Sequence, residues 1–233
     1  MININKIKIL NNTSIKLIAF SIMLFNHVGI IFFPNSDIFL KIGEISFPLF
    51  AFCIAEGFHY TKNRKKYLRN LLIFALISEI FFDFAFFNKI YWLHQNVLFT
   101  MFSSVLFLMI YEKINSINQS ISNKTMITNL LYILALLTTL LIFLLISTIS
   151  CTDHNTYGLL LIFILYVFRD KPIIKYIFSF IILYISFGYK YSLLSIPIMM
   201  LYNGKRGLNL KYFFYLFYPL HLLILIIIRE LIF

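Results

Sequence analysis

The chain has 233 residues, 61% of them hydrophobic and 12% charged, with 28 Phe, 15 Tyr and a mean hydropathy of +0.89. Soluble globular domains run at about 45–50% apolar and about 25% charged residues, so this composition excludes a water-soluble body and a separate soluble domain. The formal net charge of +11, from 20 Lys+Arg against 9 Asp+Glu, would suit nucleic acid in a soluble protein; in a membrane protein basic residues also set orientation, so their distribution decides.

In chain order, polar punctuation separates nine apolar stretches at 15–33, 40–58, 68–87, 96–112, 127–149, 156–169, 173–188, 190–202 and 212–231. At about 20 apolar residues per crossing, they predict an all-α integral membrane protein, a polytopic bundle of about nine transmembrane helices. The stretches at 96–112, 156–169, 173–188 and 190–202 are short, which implies tilted or broken helices covered by protein or lining a cavity. The segment before Phe33 has a basic start and an apolar core but no small-residue cleavage site, so it reads as an uncleaved first span. The Ser/Asn-rich stretch 114–129 reads as a plain loop and a seam between halves of one domain over 1–233. Cys53 and Cys151 form no CxxC, which gives no sign of a metal site or a disulfide framework.

With the N-terminus cytoplasmic, only Lys41, Lys89, Lys190 and Arg229 fall in outer segments, and every other basic residue, Lys6 included, falls inside. This positive-inside bias predicts a multi-pass cell-membrane protein with its C-terminus outside, and it accounts for most of the charge without nucleic acid.

Polar groups at membrane depth carry the functional information, because an ionisable side chain there costs a few kcal/mol on insertion scales. Lys16 and His27 are 11 residues apart, about three helical turns, which puts both on one face about 16 Å apart along the axis. A histidine serves as a general base near neutral pH, and a lysine at the inner boundary holds an anionic donor. The bland alternative is a snorkelling Lys and a packed His. Glu79 falls near mid-depth and suits orienting a His or sharing its proton, whereas Glu56, beside a basic loop, suits a structural ion pair. In the last stretch Pro219 breaks the hydrogen-bond ladder two residues before His221; that His either lines a polar cavity or satisfies a freed carbonyl. Asn96 suits capping the fourth stretch. The cluster from Cys151 to Gly158, with Asp153 and His154, reads as a solvated outer loop. The turn around Lys205 and Arg206 suits phosphate binding or topology setting.

Taken together, the stretches 16–29 (with Lys16 and Asn26-His27), 47–63, 71–84 (with Ser78-Glu79), 96–100, 153–161, 201–207 and 212–225 (with Tyr218-Pro219-Leu220-His221) resemble the TraX family. The resemblance implies a multispan acetyltransferase of pilin N-terminal amines and kinship with the membrane acyltransferase-3 and heparan-glucosaminide acetyltransferase group. Lys16 and His27 match that group's spacing of a basic residue and a histidine, with Lys where Arg is common. Asn26 stands where an Asp often precedes the histidine, and Asn supplies no charge to the imidazole.

On this reading the protein moves acetyl from cytoplasmic acetyl-CoA to an amine or hydroxyl of an exported acceptor, a pilin-like peptide or a cell-envelope glycan. Lys16, Arg64, Arg169, Lys205 and Arg206 hold the CoA phosphates, His27 acts as general base, Glu79 and His221 orient it or manage the proton, and Asn26 donates to the oxyanion. Two other classes stay open: a small-solute transporter, suited by broken spans bearing ionisable groups, and a non-catalytic membrane assembly factor for a pilus or secreted peptide. The sequence leaves the oligomeric state open.

Overall fold

The structure, a computed structural model, describes residues 8–186 and 190–232; Lys6 and the end of the 173–188 stretch lie outside them. Among the described residues the secondary structure is helical, with two isolated β-bridges and no strand. The helices are α1 Asn12–Phe32, α2 Asp37–Gly43, α3 Ser46–Tyr60, α4 Arg64–Phe87, α5 Val97–Ser120, α6 Met126–Ile149, α7 Asn155–Val167, α8 Pro172–Ser186, α9 Ser195–Met200 and α10 Lys211–Ile232, with a 3-10 turn at Lys190–Leu194 before α9.

Local chemistry sets these boundaries. Side chains of Asn11, Asn63, Asn96 and Thr125 accept from the backbone N–H groups of Ser14, Lys66, Leu98 and Thr128, satisfying amides that have no intrahelical partner. Asn88 ends α4 in the left-handed conformation at φ 57°. The break between α2 and α3 sits at Gly43, where a Cβ would lie 2.1 Å from Asn26 Nδ2, so only glycine lets α1 approach there. Gly158 on α7 is crowded in the same way, since a Cβ would meet Phe47 and Thr100 at 2.8 Å.

Contacts between helix ends sort the segments onto two faces. On one, Leu10 N–H donates to Leu201 O (3.0 Å), Asn203 N–H donates to Leu10 O (2.8 Å), the Phe52 and Tyr202 rings meet edge to face, and Arg169 at the end of α7 reaches Glu56 and Tyr60 at the end of α3. On the other, Gln95 pairs with Cys151 and Asp153, Ser192 N–H donates to Glu44, and Arg229 donates to the carbonyls of Phe84 and Ala85. These are the Tyr202 face and the Gln95 face.

Among the described residues, six segments are long and apolar enough to cross a membrane: α1, α2 with α3, α4, α5, α6 and α10. The chain is a multi-pass membrane protein; of about nine transmembrane helices expected, some short or broken, six are long and apolar enough to span. α7 and α8 have 13 and 15 residues, about 20 and 22 Å at 1.5 Å per residue against an apolar core of about 30 Å. The 114–129 loop is also corrected. α5 runs on to Ser120 and α6 begins at Met126, because Ser116 and Ser120 turn their hydroxyls back onto the carbonyls of Lys113 and Ile117 and leave the helix unbroken. α3 lies at the centre of the bundle, with Leu49, Ala51, Phe52 and Phe58 fully enclosed, whereas α6 shows most of its surface to the surroundings.

Candidate functional site

A cavity of about 430 Å³ lies by the Gln95 face, lined by residues of α1, α2, α3, the end of α4, the start of α5 and α10, together with His94, Asp153 and His154. Its polar groups include Asn26, His27, Glu44, His94, Asp153 and His154; Phe47, Phe86 and Tyr218 are among its aromatic walls.

His27 and His221 meet here. His221 Nδ1 lies 2.9 Å from the Phe217 carbonyl, and a carbonyl oxygen only accepts, so Nδ1 carries the hydrogen. In the neutral ring Nε2 then accepts, and the hydrogen in its 2.8 Å contact with His27 Nδ1 belongs to His27. Neutral His27 is left with a bare Nε2, a basic lone pair on a ring that lines the cavity. The two imidazoles stack at 5.0 Å and 19°, and Phe217 stacks on His221 from the next turn. Pro219 removes the amide partner of the Tyr215 carbonyl, whereas His221 binds Phe217 O, so its role is not to satisfy that freed carbonyl.

Other residues singled out in the sequence sit elsewhere. Asn26 lines the cavity but its amide donates to Phe39 O at 3.1 Å, tying α1 to α2. Glu79 turns from the cavity and accepts from Asn96 N (3.0 Å) and Nδ2 (2.6 Å) at the start of α5. The five basic residues gather on the Tyr202 face. Lys16 shares the face of α1 that carries His27 and lies over the Phe214 ring of α10 at 5.3 Å. Arg206 donates to Asn209, and the carbonyls of Lys205 and Arg206 accept from Asn12 and Thr13 at the start of α1. Arg64 pairs with Glu112 at 3.7 Å. Arg169 pairs with Glu56 at 3.1 Å and donates to Tyr60 at 2.7 Å, the ion pair expected for Glu56.

Sequence reasoning missed the far wall of the cavity. The 151–154 segment is folded into the bundle rather than solvated. Gln95 accepts from Asp153 N (2.9 Å) and donates to Cys151 O (3.1 Å), and the Thr100 hydroxyl donates to Asp153 O. Cys151, His154 and Asn155 all take positive φ, a costly choice for residues with side chains. The result aims Asp153 between two histidines, His154 Nε2 at 3.7 Å and His94 Nε2 at 3.9 Å. The His154 ring stacks on Phe47 at 3.8 Å. Burial pushes its pKa below the usual His range, Asp153 opposes this and His94 adds to it. The available signal was the density of Cys, Thr, Asp, His and Asn in five consecutive residues between two largely apolar helical stretches that carry no charge before Arg169.

The sequence profile of the TraX protein family matches residues 11–229. The chain belongs to the TraX family. Both the cavity and the Tyr202 face lie within the TraX match. A relative from Dichelobacter nodosus, named "Probable fimbrial assembly protein FimC, serogroup H1", is 28% identical over 233 residues, covering 91% of this chain and 92% of its own. No solved structure matches the chain. These matches correct the expected acetyl-CoA-dependent acetyltransferase: the near full-length relative of this TraX protein bears the name of an assembly protein, and neither match establishes catalytic acetyl transfer. The wider kinship with membrane acyltransferases is not carried by either match.

Proposed function

We propose that this TraX-family protein acts in pilus assembly in the cell membrane, receiving a polar group of a fimbrial subunit in the cavity where His27 is presented. The near end-to-end match to a protein named for fimbrial assembly carries this reading. The cavity supports it, because a subunit N–H or O–H group entering there finds the bare Nε2 of His27 as acceptor. His221 and the Phe217 carbonyl hold that ring in one tautomer, so the acceptor is formed before the ligand arrives. The Tyr202 face is cytoplasmic in this reading, on the bias of basic residues towards it. The CoA thioester has no part in it; Arg64 and Arg169, two of the residues assigned to its phosphates, are engaged by Glu112 and Glu56.

The test is complementation of a deletion strain of the native host, with surface fimbriae counted by electron microscopy. His27→Ala, present in the membrane at the parental level, is expected to leave the cells without fimbriae. Full fimbriation by that variant would overturn the assignment of the cavity.

A further inference from the structure

Two acidic residues of α4 are absorbed by no role so far. Glu79 and Asp83 are one turn apart on the helix, so both face the same neighbour. Glu79 Oε2 accepts from both the backbone and the side chain of Asn96. Asp83 Oδ2 accepts from Tyr91 N at 2.9 Å, and Asp83 is 3% exposed. The two carboxylates therefore hold the two ends of 91–96, the segment that carries His94 into the cavity wall. Between those ends, Gln95 pairs through its backbone with Cys151 and Asp153. A continuous run of hydrogen bonds leads from α4 to Asn96, through Gln95, and on to Asp153 beside His154.

We propose that Glu79 and Asp83 are positioning residues of the cavity, latching 91–96 to α4 and through it the 151–154 segment, so that His94, Asp153 and His154 stand opposite His27. Two irregular segments folded against apolar helices need acceptors for their backbone N–H groups, because lipid offers none. Carboxylates are the strongest acceptors available, and a carboxylate that receives an N-terminal amide also sits favourably at the start of α5. This gives Glu79 a positioning role through Asn96 in place of contact with His27. The proposal concerns the geometry of the wall and stands whether or not the cavity serves fimbriae.

Cys151 is a natural reporter of this wall. It is partly exposed and its carbonyl accepts from Gln95, whereas the other cysteine, Cys53, is buried in α3. The full chain is purified in detergent and its reaction with a polar maleimide is followed by mass spectrometry with peptide mapping. Glu79→Ala is expected to speed modification of Cys151 by about tenfold, the scale of one lost charge-assisted hydrogen bond, while Cys53 stays protected. Glu79→Gln keeps an oxygen acceptor and is expected to stay near the parental rate. Asp83→Ala and Asp83→Asn, at the other end of the segment, carry the same pair of expectations and serve if a Glu79 variant fails to accumulate. Parental rates in both Ala variants, or a Gln or Asn variant as fast as its Ala counterpart, would overturn the proposal.

Discussion

The two polar regions of the bundle use their charges in opposite ways. On the Tyr202 face, the two arginines at the ends of α7 and α4 meet anions: Arg169 joins Glu56 and also donates to the Tyr60 hydroxyl, and Arg64 joins Glu112 while resting on the Phe58 ring. In the cavity towards the Gln95 face, the hydrogen-bond chain from Phe217 through His221 ends in the His27 ring, whose other nitrogen, Nε2, carries no hydrogen. Charges closed on one another hold helices together, whereas an acceptor held rigid with its lone pair open is prepared for something outside the protein. The basic face looks more functional in the sequence, and the structure moves that emphasis to the other side.

Four experiments break or sharpen this contrast. The largest effect is expected from His221→Phe, which keeps the stacking shape but removes the acceptor that fixes the His27 tautomer. Fimbriation is expected to fall to the level of the deletion strain while thermal stability in detergent stays parental; full fimbriation would break the contrast. Next comes Arg169→Ala, which leaves the Glu56 carboxylate, 5% exposed, without its partner. Removing one member of a fully buried pair costs about 3–5 kcal/mol. The Arg169 side chain is 19% exposed and Lys175 also lies near Glu56, so the variant is expected to lose less than that and to unfold at lower denaturant, with Arg169→Leu plus Glu56→Gln recovering most of the loss. If the single variant is as stable as the parent, the pair does not hold the helices.

A smaller effect is expected from pH. The pKa of His154 is lowered in the folded protein, chiefly by burial. The unfolded chain therefore takes up its proton first as pH falls below about 6.5, and stability declines from there down to the folded pKa. Melting temperature is expected to drop between pH 7.5 and 5.5, and His154→Asn to flatten that slope; an equal slope in the variant would remove His154 as its source. The smallest effect belongs to Arg64→Gln. Its pair with Glu112 is about one-third exposed on each side, and such pairs contribute about 0–1 kcal/mol. A loss beyond that range, measured by the same denaturation, would mean that the Tyr202 face is more tightly closed than its exposure implies.

Much of this frame is legible in the amino-acid order. Several apolar stretches mark a helix to within a few residues because bilayer chemistry leaves few alternatives, whereas 96–112 stops well short of Ser120 at the end of α5 and 40–58 covers both α2 and α3. The spacing of Lys16 and His27 puts both on one face of α1, and in the structure that face meets Phe214 and His221 of α10. The Pro219–His221 pair signals a polar interior position. What escapes is everything that depends on partners distant in the chain. Glu79 reads as a mid-depth acid near a histidine, yet Asn96 takes it, and no periodicity links those two positions. Asp153 reads as part of a solvated outer loop and nothing in the amino-acid order singles out His94; the backbone pairing of Gln95 with Cys151 and Asp153 folds both segments inward. The extension of α5 through Ser116 and Ser120 escapes because serine hydroxyls suit either a loop or a helix, depending on the carbonyl they find.

The clasp between the start of α1 and the 201–208 turn has a consequence for the order of synthesis. Asn12 and Thr13 give their backbone hydrogens to Lys205 and Arg206, and the Thr13 hydroxyl bonds to Arg206 and Leu208, 193 and 195 positions away. At about 5–20 residues per second, the ribosome delivers those acceptors roughly 10–40 s after the first helix emerges. Until then the opening turn of α1 rests on water or on borrowed partners, and a chain cut short before residue 205 exposes that unfinished end. Closure of this clasp therefore waits on synthesis of almost the whole chain.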